Sequence, residues 1–331
     1  MTSPDLPAEL KAALEARLHG LSRNEAAERA ARISQTYRGG GNSAAIRSEA
    51  DALAYALARM PATYAAVTAS LNALGEIRPD FAPENLLDVG AGPGTATWAA
   101  AETWPSLQRF TLLDANGALR ELALDLGRGS TRLRDIDYQH HEAASALAGA
   151  ESADLVIASY LIGEMDDAAR ENLAALMWAK TRDTLVVVEP GTPAGHARII
   201  ALRAQLIGLG AHVTAPCPHD NPCPLQPPDW CHFTQRLQRS QAHKQIKGAE
   251  LPFEDEKFSY VALTRAPVAS RLARVLAQPI VGKVEVTAKL CASGGLEIAR
   301  VPRRAKADYA RARRWRWGDA VLLNLTLPDA D

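Results

Sequence analysis

Three of the chain's four cysteines stand inside one proline-rich stretch, Ala215–Phe233, and that stretch restricts the fold more than any other. Its six prolines, Pro216, Pro218, Pro222, Pro224, Pro227 and Pro228, remove backbone donors and fix φ, which excludes both a helix and a central strand. A rigid, irregular loop that presents Cys217, Cys223 and Cys231 within fifteen residues needs something to organise it. The first residues, Met1–Lys11, lack a basic region followed by an apolar core, and no apolar run approaches the roughly 20 residues that span a bilayer. The expectation is a cytoplasmic, reducing setting with no membrane association. There the organiser of three thiols is a metal or an iron–sulfur cluster, not disulfides. The fourth cysteine, Cys291, ties the C-terminal segment back onto the loop if it joins the other three.

The spacing is Cys217-x5-Cys223-x7-Cys231-x59-Cys291. Four thiolates suit tetrahedral zinc or a four-iron cluster. Neither the paired C-x-x-C knuckles of zinc ribbons nor the compact run of ferredoxins is present, so the spacing indicates a metal without choosing which. His219 and His232 are alternative ligands in place of Cys291, or polar loop residues.

At 331 residues, 47% hydrophobic and 23% charged, the chain has the composition of a soluble globular protein of about two domains. Its net charge of −1 conceals an asymmetry: from Arg265 to Trp317 there are 13 Lys/Arg against three acids, so this segment is +10 and the remainder −11. A basic tail on an acidic body suits a polyanionic partner, and equally a solvated face that neutralises the body.

Residues 5–78 read as helical, rich in Ala, Leu, Glu and Arg. Ser22 and Glu25 have capping-box spacing, so a helix is expected from Arg23 to Tyr37, ending at the Gly39–Gly41 turn. A second is expected over Ser43–Ala58, with Pro61 breaking it or starting the next. Asn85–Gly90 then reads as a buried parallel strand, followed by a glycine loop and a helix from Thr95. Glycine lets backbone approach a ligand closely, and the helix N-terminus offers free N–H groups. A second strand, Arg109–Asp114, ends in an acid at the offset expected for a ribose contact.

Alternation continues with a helix at Ala118–Leu126, a weak strand near Arg132–Tyr138, a short helix near Glu142–Ala148 and a strand at Ala153–Ala158. The last delivers Ser159 and Tyr160 to the carboxyl edge of the sheet, where ligands bind in such folds. Tyr160 reads equally as an aromatic lid or as packing. A helix at Asp167–Ala179, a strand at Thr184–Glu189 and a helix ending near Gly208 or Gly210 follow. Glu189 is a polar wall of the site or, preferably, a cap of that helix. After the cysteine loop come a basic helical segment, Thr234–Lys247, and a strand, Phe258–Thr264. Val281–Leu290 and Leu296–Pro302 read as a hairpin turning at Cys291–Gly295. In Tyr309–Gly318 four arginines alternate with two tryptophans, which suits phosphate contact with base stacking, or a helix whose tryptophans pack inward.

The form Asp88-x-Gly90-x-Gly92-x-Gly94 resembles motif I of class I S-adenosylmethionine-dependent methyltransferases. That resemblance implies an α/β, Rossmann-like sheet and a cofactor site of Asp88, Gly90, Ala91, Gly92, Gly94, Asp114, Ser159 and Tyr160. The methionine part would lie against Gly90–Gly92 and the ribose on Asp114.

The loop Cys217-Pro-His-Asp-x-x-Cys223-Pro-Leu…Asp229-Trp-Cys231-His-Phe, with Gln235-Arg236 after it, resembles a second signature, that of the methyltransferase-like assembly factors of the mitochondrial small ribosomal subunit and their bacterial relatives. The likeness extends to Ser159-Tyr160-Leu161, Glu189-Pro-Gly-Thr-Pro193-x-Gly195, Phe258-Ser-Tyr260 and Tyr309-x-x-Ala-Arg…Trp317-Gly-Asp319. It implies a four-iron, four-sulfur cluster on Cys217, Cys223, Cys231 and Cys291, and binding to ribosomal RNA of the maturing small subunit. The organisation expected is an N-terminal helical region (1–80), a cofactor-binding domain (81–266) with a cysteine-rich insertion (212–233), and a small basic C-terminal β segment (267–331) that binds RNA, in a chain monomeric when free. No residue is identified as a catalytic base: the Asn-Pro-Pro-Tyr tetrad of amine methylases is absent, as is a cysteine within the sheet. A non-catalytic RNA-binding assembly factor and a small-molecule methyltransferase with a structural zinc are the other two functions the residues allow.

Overall fold

The computed structural model describes residues 1–18, 22–269 and 271–322. Residues 19–21 of the helical region, and 270 and 323–331 of the C-terminal segment, lie outside the described residues. The centre is a sheet built from β1 (Asn85–Val89), β2 (Arg109–Asp114), β3 (Asp137–His140), β4 (Ala153–Ser159), β5 (Thr181–Pro190), β6 (His212–Ala215), β7 (Phe233–Gln238) and β8 (Phe253–Thr264). The order is β3-β2-β1-β4-β5-β8-β6. The first five strands are parallel, and β8 runs antiparallel to β5 and β6. All five residues of β1 are buried, as a strand covered by helices on both faces requires. This is the α/β, class I methyltransferase-type sheet expected from the sequence.

The edge of β8 explains where the cysteine loop comes from. On one side Phe258–Thr264 pairs with β5. On the other, β6 covers Ala262–Thr264 and β7 covers Phe253–Phe258. β6 and β7 thus run in the same direction along one edge, and the chain leaves that edge between Ala215 and Phe233. The loop is a long excursion from a nearly continuous edge strand. His212–Ala215 belongs to the sheet and not to the excursion. Thr234–Lys247, expected to be helical throughout, is instead β7 followed by α9 (Gln241–Lys247). The strand period is masked there because Phe233 and Leu237 are the only buried residues of β7, set among basic and amide side chains.

The N-terminal helices are α1 (Ala8–Arg17), α2 (Arg23–Arg38) and α3 (Glu49–Ile77). Ser22 caps α2 by accepting from Glu25 N, as its spacing predicts. Ser43–Ala45 is a single 3₁₀ turn, and α3 begins only at Glu49 with Ser48 as cap. Pro61 does not break α3. Proline costs a helix one backbone bond and a steric clash, about 3 kcal/mol. Here alanines such as Ala52, Ala56, Ala62, Ala65 and Ala66 are fully buried and let neighbouring elements approach α3 closely, so tertiary burial overrides the local cost. Leu10, Ile33 and Tyr64 share one core with Leu86, Leu112 and Leu155 of the sheet.

The remaining helices are α4 (Thr95–Thr103), α5 (Gly117–Gly127), α6 (Ala143–Gly149), α7 (Asp167–Lys180), α8 (Pro193–Gly208) and α10 (Lys306–Ala312). A second, smaller sheet is formed by β9 (Ala273–Val275), β10 (Ile280–Val281), β11 (Glu285–Ala292), β12 (Gly295–Pro302) and β13 (Ala320–Val321). β11 and β12 pair from Glu285–Pro302 to Ala292–Gly295, so the turn is tighter than expected and Cys291 lies within the strand, opposite Leu296. Among the described residues no helix is long and apolar enough to cross a membrane.

Candidate functional site

Two sites stand at the carboxyl side of the sheet and at its β8 edge. The first is a pocket over β1. Gly90, Gly92 and Gly94 all have positive φ, at 69°, 55° and 78°, a region that a side-chain-bearing residue enters only at a cost. At Gly90 there is a second reason: a Cβ would lie 2.6 Å from the Leu161 side chain. At Gly92 the space is open, with Leu119 at 3.8 Å the nearest neighbour. The loop is held from both sides. Gly92 N donates to Asp114 Oδ2 at 2.9 Å, and Tyr138 OH donates to Gly92 O at 2.7 Å.

Asp114 also accepts from Asn116 N at 2.7 Å, leaving further lone pairs for a ligand. Burial raises its pKa against those two hydrogen bonds. Gly90, Ala91, Gly92, Asp114, Ser159 and Tyr160 line the pocket together. Asp88 and Gly94 do not. Asp88 is fully buried behind the loop, where Oδ2 accepts from Thr97 N (3.1 Å) and Thr97 Oγ1 (2.7 Å) and so ties down the first turn of α4. Burial pushes its carboxyl up to about 7. Gly94 is the N-cap of α4. Both shape the loop instead of facing a ligand.

Tyr160 is the one non-glycine residue with positive φ among the described residues, at 57°. For a bulky side chain this is a strained conformation, and it is held from three directions. Tyr160 N donates to Val188 O at 2.8 Å, Tyr160 OH donates to Glu256 Oε1 at 2.8 Å, and Arg59 lies over the ring and 3.3 Å from the same carboxylate.

The far wall of the pocket is not readable from the sequence. Tyr37 and Tyr55, stacked at 6.0 Å, and Ser43 come from the N-terminal helices. Glu164 accepts from Ser43 N at 3.0 Å, while Asn116 Nδ2 donates to Ser43 O and Ile46 O. The triple glycine before Ser43 is the only local signal that could have pointed there. Glu189 is buried beneath Gly163, with Arg198 at 3.7 Å, and burial pushes its carboxyl up to about 7. It neither lines the pocket nor caps α8. That cap is Thr192, whose Oγ1 accepts from Gly195 N at 3.0 Å.

The second site is a cavity lined by Cys217, Cys223, Cys231 and Cys291 together. The proline-rich loop has few backbone donors of its own, so other elements anchor it. Ser259 Oγ donates to Cys231 O (2.8 Å), Trp230 Nε1 donates to Gly191 O (3.0 Å), Asp220 Oδ1 accepts from Val213 N (2.8 Å), and Lys289 pairs with Asp229. Phe233, Phe258 and Tyr260 pack below it at 5.4–6.0 Å between ring centroids. The C-terminal turn seats on the same rings: Gly318, at φ 97°, leaves room for Phe233, which a Cβ would approach to 3.3 Å.

All four thiols are free. Burial raises Cys217, Cys231 and Cys291, the last to about 12, and the proximity of the other thiols adds to each. Four mutually repelling thiolates in a buried cavity are stable only when a cation shares it. Among the described residues no group of three His, Cys, Asp or Glu side chains is gathered closely enough to hold a metal ion as it stands. The four cysteines share one cavity without forming a closed ligand set. Of the two candidate histidines, His219 lies with Nε2 3.5 Å from Cys291 Sγ. His232 is sandwiched by Trp230 at 5.0 Å and Trp317 at 4.7 Å and serves packing.

Arg311, Arg313, Arg314 and Arg316 are exposed, whereas Trp315 and Trp317 are half-buried against the two cores. Of the two readings of this segment, the tryptophans pack inward and the guanidiniums face solvent.

The chain is 30% identical over 307 residues to the human ribosome assembly protein METTL17, mitochondrial, covering 86% of this chain and 64% of that one. It is 25% identical to the Rsm22-cox11 tandem protein 2, mitochondrial, of Schizosaccharomyces pombe, covering 81% of this chain and 42% of that one. The chain thus spans about two thirds or less of the length of these relatives. Among solved structures it has a distant likeness to an O-methyltransferase family protein from Burkholderia thailandensis, at 12% identity and a TM-score of 0.43, covering 66% of this chain and 60% of that one. Residues 49–322, which hold the glycine loop and all four cysteines, match the family described as mitochondrial small ribosomal subunit Rsm22, and the chain belongs to that family.

Proposed function

We propose that this protein binds S-adenosylmethionine and acts on ribosomal RNA of the small subunit during its assembly, with a four-iron, four-sulfur cluster on Cys217, Cys223, Cys231 and Cys291. The observation that carries the reading is the meeting of the four cysteines around one cavity where the glycine-loop sheet joins the basic C-terminal sheet. Membership of the family, and the ribosome assembly for which its human relative is named, supply the partner. The cluster would cross-link the loop to β11, and so fix the exposed arginines of residues 311–316 relative to the cofactor pocket. Bound cofactor would supply an electrophilic methyl group. The chain's part is to orient it, with the glycine-loop amides and the N-terminus of α4 toward its carboxylate and Asp114 toward its ribose hydroxyls.

A non-catalytic version of the same role has a specific observation in its favour. Titratable side chains lining the pocket are engaged within the protein: Asp114 accepts from Gly92 N and Asn116 N, Glu164 accepts from Ser43 N, Tyr160 donates to Glu256, and Tyr37 stacks on Tyr55. Each of these groups is engaged in holding the pocket wall, and none is an unengaged base. Incubating immature small subunits with labelled cofactor and mapping labelled nucleotides separates the two: label at one nucleotide establishes transfer, and binding without label establishes the assembly role alone.

A further inference from the structure

Two guanidiniums face the cysteine cavity, Arg203 from α8 and Arg274 from β9, and each is only 2% exposed. Arg203 donates to His219 O at 2.7 Å and Asn221 O at 2.8 Å, and its Nε has no partner. Arg274 donates to Pro216 O at 3.2 Å and Gly318 O at 2.7 Å. All four acceptors are neutral carbonyls. Among the described residues neither arginine forms an ion pair, and the acids of the loop are engaged elsewhere: Asp220 with Arg271 and His212, Asp229 with Lys289. A buried cation with no counter-charge is strongly disfavoured, so two lining one cavity call for negative charge in the space they share.

We infer that Arg203 and Arg274 are the built-in counter-charge of the cysteine site, which is therefore made for a group of net charge about −2. The charge balance is direct. Four metal-bound thiolates carry −4, a core of charge +2 leaves −2, and the two guanidiniums neutralise it. Four neutral thiols would leave both arginines unpaired. Their hydrogen bonds give them a second task, since Arg203 holds the Cys217–Cys223 segment and Arg274 holds both the start of the loop and the C-terminal turn. These are positioning residues, one from each side of the junction.

The inference rests on the reading that the cysteines hold a metal group, and the test separates the two. Full-length protein, wild type and Arg203→Met, is purified anaerobically, assayed for iron and zinc, and challenged with a chelator. Arg203→Met should release metal at least about tenfold faster than wild type, and Arg203→Lys should restore most of the retention. The same substitution is then made in a chain with all four cysteines changed to serine, and both pairs are melted. Loss of charge compensation predicts a reversal: Arg203→Met lowers Tm in the metal-loaded protein and raises it in the cysteine-free one, where the arginine is an unpaired buried charge. Equal lowering of Tm in both backgrounds, or unchanged metal release, would show that Arg203 only tethers carbonyls and would overturn the inference while leaving the metal site intact. Wild-type protein free of iron and zinc would overturn both.

Discussion

The glycine-loop pocket and the cysteine cavity are assembled in opposite ways. The pocket is closed by hydrogen bonds that exist without a ligand: Asp114 holds Gly92, Tyr138 holds Gly92 from the other side, and Asp88 holds the start of α4. The cavity is walled by four free thiols and two buried arginines, neither of which is paired with an acid among the described residues. One site is closed by contacts already present, and the other, on the function proposed, would be completed by what it binds. A preorganised pocket tolerates the loss of its ligand, whereas at the cysteine site the metal binding proposed above would also be folding energy.

The largest effect that tests this contrast is at the cavity. Cys231→Ser and Cys291→Ser should each remove the metal group and lower Tm by many degrees, and metal analysis with thermal melting reads both. A Cys291→Ser protein that keeps its full metal content would remove Cys291 from the ligand set and break the link between the two sheets.

Next in size is Gly90→Ala, which places a side chain at φ 69° against Leu161. It should cost at least about 1–2 kcal/mol of stability and abolish cofactor binding, measured by denaturant unfolding and calorimetry. Asp114→Ala leaves Gly92 N without its acceptor and should weaken S-adenosylmethionine binding by at least about tenfold, with a stability loss of about 1–3 kcal/mol. Unchanged affinity would withdraw Asp114 from the ribose.

A smaller effect should appear at the surface. Replacing Arg313, Arg314 and Arg316 with alanine should weaken binding to small-subunit RNA and flatten its salt dependence. The slope of log affinity against log salt should fall by up to about 0.7–0.9 for each phosphate these arginines neutralise. Unaltered salt dependence would show them to be a solvated face.

The smallest effect is a pH dependence. Buried Glu189 has its pKa raised to about 7, so the folded state keeps a proton that the unfolded chain has already lost. Its contribution to stability is complete below the unfolded value and fades as pH rises through about 7. Glu189→Gln should flatten the decline in Tm between about pH 5 and about pH 8, and an unchanged profile would place the titration elsewhere.

Much of this is legible in the sequence where structure is local. The glycine loop, its strand, its helix and the acid at the end of β2 lie within thirty residues, and each follows from a backbone requirement. The meeting of Cys291 with the loop is readable only as a resemblance, because no short-range pattern brings β11 beside residues 217–231. Features that depend on tertiary contact stay hidden. Tyr37, Ser43 and Tyr55 reach the pocket only through the packing of α2, the 3₁₀ turn and α3 against the sheet, and α3 itself continues through Pro61, which propensity argues against. β7 looks helical because its basic and amide residues alternate with only two buried ones. Arg203 is unremarkable within an ordinary helix, since nothing in its neighbours shows that it will be buried without an acid.

The central claim is that the four cysteines hold a four-iron, four-sulfur cluster joining the two sheets. Its most direct test is the iron, sulfide and zinc content of anaerobically purified protein, measured together with its visible absorption. The account predicts a brown protein with about four irons and four sulfides per chain. A colourless protein, whether it carries one zinc or no metal, would contradict it.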